Sequence, residues 1–88
     1  MKIKGEFILR QVMDNIVAIP VGATALQLNG MIMLNEVSQV IWQQLTEGAE
    51  LEQITQAVTQ AFEVSSEEAR QDIIEFTQKL RAAGLLEK

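Results

Sequence analysis

Short apolar runs, separated by polar turn residues, fill the first third of the chain and predict β-strands there. Residues 7–13 are rich in β-forming side chains, the pair Asp14-Asn15 is typical of a turn, and residues 16–19 follow at hairpin spacing. Pro20 ends the second strand or marks it as an edge strand, because proline has no N–H to donate to a neighbour. We therefore predict a β-hairpin in this part of the chain.

The same pattern repeats once before the first helical segment. Residues 25–28 and residues 31–34 flank the pair Asn29-Gly30. Asn-Gly is the strongest two-residue hairpin signal, because both central positions of the turn favour positive φ. A second hairpin is predicted, and the sheet has three or four strands depending on whether residues 25–28 join it.

Helical spacing of apolar residues begins after this hairpin. Asn35 stands where an N-cap residue belongs, and we predict a helix over residues 36–46 that is stopped by Gly48. Trp42 on this helix is expected to pack against the sheet. A second helix is predicted to begin near Glu50. The two apolar stripes consist of Val37, Val40, Ile41 and Leu45, and of Leu51, Ile54, Ala57, Val58, Ala61 and Phe62.

A third helix is predicted from a capping box. Ser65 accepts a backbone hydrogen bond at the start of the helix while Glu68 reaches back to the serine N–H. The helix ends at Ala83-Gly84, where glycine adopts the left-handed cap conformation, and Leu85-Leu86 are expected to fold back onto the core. Its core face consists of Ala69, Ile73, Phe76 and Leu80.

Strands followed by three helices in one chain of 88 residues indicate a single α+β domain over residues 1–88. The second and third helices resemble a helix-turn-helix, and the strands resemble a wing. The predicted fold is therefore winged-helix-like, with N-terminal antiparallel strands and three α-helices.

The composition removes most catalytic chemistry. Histidine and cysteine are both absent, which excludes imidazole acid–base catalysis, disulfides, thiolate chemistry and cysteine- or histidine-bound metals. Glu67 and Glu68 lie in the first turn of the third helix, where the helix dipole favours carboxylates. The five glycines are scattered singly and form no phosphate-binding loop. We predict no catalytic residue, no metal site and no cofactor, so the protein is not expected to be an enzyme.

The distribution of charge argues against nucleic acid and membrane partners. The net charge is -5, and no lysine or arginine occurs between Arg10 and Arg70. A polyanion partner requires several clustered cations. Residues 15–35 carry no charge, but Pro20, Gly22 and other turn formers interrupt this stretch, so hairpins explain it better than a membrane helix.

Protein binding is the remaining class of function. A strand at residues 31–34 is unusually apolar and contains two adaptable methionines, and an exposed strand edge recruits further strands. On the third helix, a second row of side chains flanks the core face at helical spacing: Arg70, Ile74, Thr77 and Arg81. The alternative interpretation is that Ile74 widens the core face and the methionines fill gaps.

The chain resembles the PqqD-like family, the precursor-peptide recognition elements of ribosomally made, modified peptides. The resemblance runs over nearly the whole sequence, and its most specific part is the order Leu-Asn-Glu, helix, Asp before an apolar residue, and terminal Gly-Leu-Leu. These features correspond here to Leu34-Asn35-Glu36, Asp72-Ile73 and Gly84-Leu85-Leu86.

The resemblance implies a cytoplasmic, winged-helix-like adaptor without enzymatic activity. Such an adaptor holds the leader of a precursor peptide and presents the peptide to a modifying enzyme, often a radical SAM maturase. In the family the leader adds as a strand beside the last strand before the first long helix and lies against the third. This implies a peptide site made of Met31, Ile32, Met33 and Leu34 on the strand and Ile74, Thr77 and Arg81 on the helix. The helical spacing adds Arg70 to this predicted site.

Two alternatives stay open at this point. One is a winged-helix regulator that binds DNA, and the other is a small module that forms a homodimer through the same strand edge. DNA binding would weaken steeply with salt, whereas binding in an apolar groove would hardly change.

Overall fold

The computed structural model describes residues 1–28 and 30–87 and consists of a sheet packed beside three long helices. The predicted α+β class, with N-terminal antiparallel strands followed by helices, is confirmed. The elements in chain order are β1 (Lys2–Ile3), β2 (Phe7–Val12), β3 (Asn15–Pro20), α1 (Ala23–Gln27), β4 (Ile32–Leu34), α2 (Glu36–Thr46), α3 (Leu51–Ala61), α4 (Ser66–Ala82) and β5 (Leu86–Glu87).

The main sheet has three antiparallel strands in the order β2-β3-β4. The β2-β3 turn is centred on Met13 and Asp14, because Val12 pairs with Asn15. The predicted turn at Asp14-Asn15 is therefore wrong by one residue. A positive φ of 57° at Met13, the first central residue, is typical of a type II′ turn, which twists in the same sense as the strands.

The predicted strand at residues 25–28 is wrong. Residues 25–27 belong to the five-residue helix α1, which contains no buried residue, and Leu28 follows the helix in an extended conformation. Strand β4 consequently pairs with β3, with Ile16 opposite Leu34 and Ala18 opposite Ile32. Asn29, the first residue of the predicted Asn29-Gly30 turn, lies outside the described residues.

Local capping interactions fix the ends of the long helices as the sequence predicts. The Asn35 side chain accepts from the Ser38 N–H at 2.8 Å, and the Ser38 hydroxyl accepts from the Asn35 N–H at 2.8 Å, so α2 begins at the end of β4. The Ser65 hydroxyl accepts from the Glu68 N–H at 3.1 Å, which confirms the serine half of the predicted capping box. Within the described residues, the predicted return bond from the Ser65 N–H to the Glu68 side chain does not form. At the other end of α4, Gly84 has a φ of 75° and turns the chain back over the helix.

The core lies between the inner face of the sheet and helices α2, α3 and α4. Ala18 and Leu34 from the sheet meet Ile41, Leu45, Ile54, Val58 and Ile73 from the helices, and all are fully or almost fully buried. Trp42 is 3% exposed and packs edge-on against Phe7, with ring centroids 5.1 Å apart. The expected packing of Trp42 against the sheet is confirmed.

Both ends of the described chain meet in a two-stranded ribbon that sequence patterning did not predict. Ile3 pairs with Leu86, and the Lys4 N–H donates to the Leu85 carbonyl at 2.7 Å. Leu85 is buried, which confirms that this segment folds back onto the core. Among the described residues, no helix combines the length and apolar character that crossing a membrane requires.

Candidate peptide-binding groove

An apolar groove separates β4 from α4. Its volume is about 430 Å³. The floor is formed by core residues such as Ile41, Leu80 and Leu85, and one wall by Ile32 and Met33. Side chains from the same face of α4 form the opposite wall: Asp72, Glu75, Phe76, Lys79 and Ala83. The groove thus offers an apolar floor bordered on the helix side by charged groups.

Among the residues that the structure describes, β4 pairs only with β3, so the wall that it forms is a free strand edge. Hydrogen bonding between antiparallel strands alternates from residue to residue. The Val21 N–H donates to the Glu6 carbonyl at 3.0 Å, so the odd-numbered residues of β3 bond to β2 and its even-numbered residues bond to β4. Ile32 and Leu34 therefore direct their backbone groups to β3, and Met33 directs its N–H and C=O to the free edge.

The wall formed by α4 follows from helical geometry. Asp72, Phe76, Lys79 and Ala83 are spaced by four, three and four residues, which places them in one row along the helix. Phe76 is half-buried and contacts the core cluster. Asp72 and Lys79 are exposed on either side of it. This wall of the groove therefore presents one aromatic ring between an acidic and a basic side chain.

The predicted strand residues divide between the groove and the core. Met31 and Met33 are both exposed, with 65% of the Met33 surface accessible. Ile32 is half-buried and lines the groove. Leu34 is fully buried in the core and pairs across the sheet with Ile16, so its side chain is not available at the surface.

The predicted helix residues lie elsewhere on α4. Arg70 forms an ion pair with Glu52 of α3, with 2.9 Å between the Arg70 Nη2 and the Glu52 Oε1. Thr77 is buried, and its hydroxyl donates to the Ile73 carbonyl at 2.8 Å. The structure thus places Thr77, which its spacing assigned to the row beside the core face, within the core face itself.

Ile74 and Arg81 are exposed, but they are not among the residues that line the groove. Ile74 is two residues from Phe76 and so lies about 200° away around a helix of 3.6 residues per turn. Together with Arg70, these residues occupy the flank of α4 that faces away from β4. The structure does not bring them together with the predicted strand residues, and their contact with a peptide stays a prediction.

Sequence reasoning missed the helix side of the groove. Phe76 was assigned to the core face, and Asp72 and Lys79 are its neighbours at i−4 and i+3. Periodicity identifies two flanks beside a core face, but which flank meets the sheet depends on the direction in which α4 crosses it. The sequence feature that could have identified this flank is an aromatic residue with a charged residue on either side of it in one row of the helix.

Comparison with known proteins gives a family and a structural relative. The family described as coenzyme PQQ synthesis protein D (PqqD) matches residues 20–86. No curated protein matches the chain. A solved structure titled "TbiB1 in Complex with the TbiA(beta) Leader Peptide" is similar, with a TM-score of 0.74 and 25% sequence identity. That alignment covers 99% of this chain and 95% of TbiB1.

Proposed function

We propose that this chain, which belongs to the PqqD family, is a non-catalytic adaptor that binds the leader of a ribosomally made precursor peptide. The leader adds to β4 as a further strand and fills the groove between β4 and α4. The adaptor then presents the peptide to a modifying enzyme such as a radical SAM maturase. The similarity to TbiB1, whose solved structure contains a leader peptide, supports this proposal.

The observation that carries the proposal is the coincidence of a free strand edge with an apolar groove. Peptides that add to a sheet gain affinity from main-chain hydrogen bonds and selectivity from pockets that receive alternate side chains. The outward N–H and C=O of Met33 supply the main-chain hydrogen bonds. The space between Ile32 and Phe76 supplies a pocket for a peptide side chain. Both components lie within one concave surface.

The charges of the groove favour particular leaders. Asp72 and Glu75 contribute two carboxylates to the helix wall, and Lys79 contributes one ammonium group. An apolar leader side chain therefore enters beside Phe76, and a basic residue of the leader is favoured near Asp72. Because these charges are exposed, they select among leaders and tune the association rate more than they raise affinity.

Binding measurements on matched variants test the groove. Met33→Pro removes an N–H that faces the free edge and leaves the bonds of Ile32 and Leu34 to β3 intact. Affinity for a synthetic leader peptide that the parent chain binds should fall at least tenfold by calorimetry, while Met33→Ala, which keeps the N–H, should bind within about threefold of the parent.

A second pair of variants compares the two flanks of α4. Phe76→Ala should weaken leader binding about tenfold, because it removes apolar contact area in the groove. Ile74→Ala, on the opposite flank, should bind within about twofold of the parent. If Ile74→Ala loses affinity and Phe76→Ala does not, the peptide contacts the residues predicted from sequence and the groove assignment is wrong.

A further inference from the structure

Strand β2 is the second free edge of the sheet, and it is exposed along most of its length. In the order β2-β3-β4, only one side of β2 is paired. Ile8, Leu9 and Val12 each expose between 40% and 50% of their surface. Natural edge strands are protected by proline, lysine, bulges or short length, but β2 pairs regularly with β3 over six residues and carries Arg10 as its one charge.

The unpaired backbone groups of β2 belong to alternate residues. The bond from the Val21 N–H to the Glu6 carbonyl places Glu6 at a hydrogen-bonded position toward β3. By alternation, Ile8 and Arg10 also bond to β3. The N–H and C=O groups of Phe7, Leu9 and Gln11 therefore face outward.

Two exposed charges flank the centre of this edge. Glu6 and Arg10 lie two residues on either side of Ile8, on the same face of the sheet, and both are exposed. Within the described part of the chain, neither side chain takes part in an ion pair. The edge thus carries opposite charges symmetrically about one apolar residue.

We propose that β2 pairs antiparallel with β2 of a second copy of this chain, about a twofold axis at Ile8. In this register Glu6 of each copy faces Arg10 of the other, which gives two cross-strand ion pairs. Phe7 of each copy faces Leu9 of the other as a hydrogen-bonded pair, so outward N–H and C=O groups meet. The two three-stranded sheets join into one of six strands.

Charge selects this register over its neighbours. A twofold axis at Phe7 places Glu6 opposite an isoleucine, and an axis at Leu9 places Arg10 opposite an isoleucine. An axis at Arg10 sets two arginines against each other, which is destabilising. Only the axis at Ile8 gives each charge an opposite partner.

The pairing leaves the β4 groove open in both copies, because β4 lies at the far side of the sheet from β2. The inference therefore stands independently of the proposed peptide site. The strand pairing involves about five residues per copy, so it buries less surface area than the roughly 1,200 Å² typical of stable complexes. Dimers are therefore expected at high micromolar concentrations.

Disulfide trapping of the full chain tests the register. The chain contains no cysteine, so Ile8→Cys introduces a single thiol that would face its own copy at a non-hydrogen-bonded position, where Cα atoms are about 4.5 Å apart. With oxidised glutathione, Ile8→Cys should form a covalent dimer at least tenfold faster than Val12→Cys, a matched exposed position on the same face. Equal rates would overturn the proposed register.

Charge-reversal variants test whether β2 pairs with a second copy of this chain through Glu6 and Arg10. Sedimentation equilibrium should show self-association of the parent chain, and at least tenfold weaker association of Glu6→Lys alone and of Arg10→Glu alone. An equimolar mixture of the two variants should recover dimers, because each reversed charge then meets an opposite one. A parent chain that stays monomeric at about 1 mM, or variants that associate as the parent does, would overturn the proposal.

Discussion

Met13 holds a backbone conformation that glycine adopts more easily than any residue with a Cβ atom. Its φ is 57°, and 89% of its surface is exposed, so no tertiary contact of the side chain offsets the strain. Met13→Gly should therefore raise the free energy of unfolding by about 1 kcal/mol in urea titrations. Met13→Ala keeps the strain and should change it by less than about 0.5 kcal/mol. A glycine variant less stable than the parent would contradict the turn geometry.

Trp42 links the first long helix to the sheet through a single aromatic contact. Because Trp42 is almost fully buried against Phe7, Trp42→Ala should lower the free energy of unfolding by about 3–5 kcal/mol, measured by circular dichroism in urea. A double-mutant cycle with Phe7→Ala should show a coupling of about 0.5–1.5 kcal/mol from the edge-on geometry. A loss below about 1 kcal/mol for Trp42→Ala would place the indole outside the core.

Single residues show where sequence patterns reach their limit. Trp42 was assigned to the core because it follows Ile41 on an amphipathic helix, and that assignment is confirmed. Thr77 was placed by its spacing in the row beside the core face with Ile74 and Arg81, yet its hydroxyl is satisfied by the helix backbone and the side chain is buried. Thr77 lies four residues after Ile73 and three before Leu80, so it belongs to the core face, and the bond to the helix backbone is what allows a hydroxyl to be buried there.

At the scale of elements, the junction of β4 and α2 is fixed by one reciprocal pair of hydrogen bonds. Asn35→Ala removes the acceptor for the Ser38 N–H and should lower the free energy of unfolding by about 1 kcal/mol. Asn35→Asp keeps the acceptor and should cost less than half as much. Equal losses for both variants, measured in urea, would show that the cap contributes little to holding α2 against β4.

The elements that sequence patterning missed are the short ones. The long helices carry caps, glycine stops and repeated apolar stripes, and α2 begins and ends at the predicted residues. Residues 25–28 alternate like a strand, but residues 25–27 belong to the short helix that follows Gly22, with 89% of the Leu26 surface accessible. The two-residue strands β1 and β5 exist only through their mutual pairing, so neither has a periodicity of its own to detect.

At the scale of the whole molecule, the fold separates two free strand edges on opposite sides of one sheet. The β4 edge is bordered by a helix and forms a groove, whereas the β2 edge carries exposed apolar side chains along its length. A groove selects a peptide by its side chains, and an open edge accepts a strand of matching charge pattern. The sequence identified strand β4 but not the face of α4 that lies opposite it across the groove. That face depends on the direction in which α4 crosses the sheet, which is a property of the whole fold.

The proposed peptide site is tested most directly by amide hydrogen exchange at Met33. Measurements follow dilute protein with and without a saturating synthetic leader. The Met33 N–H faces the free edge of β4, so leader binding should slow its exchange at least tenfold, while the N–H groups of Phe7, Leu9 and Gln11 on the β2 edge keep their rates. If the leader binds and Met33 exchanges as fast as in the free protein, the leader does not add to β4 and the account is wrong.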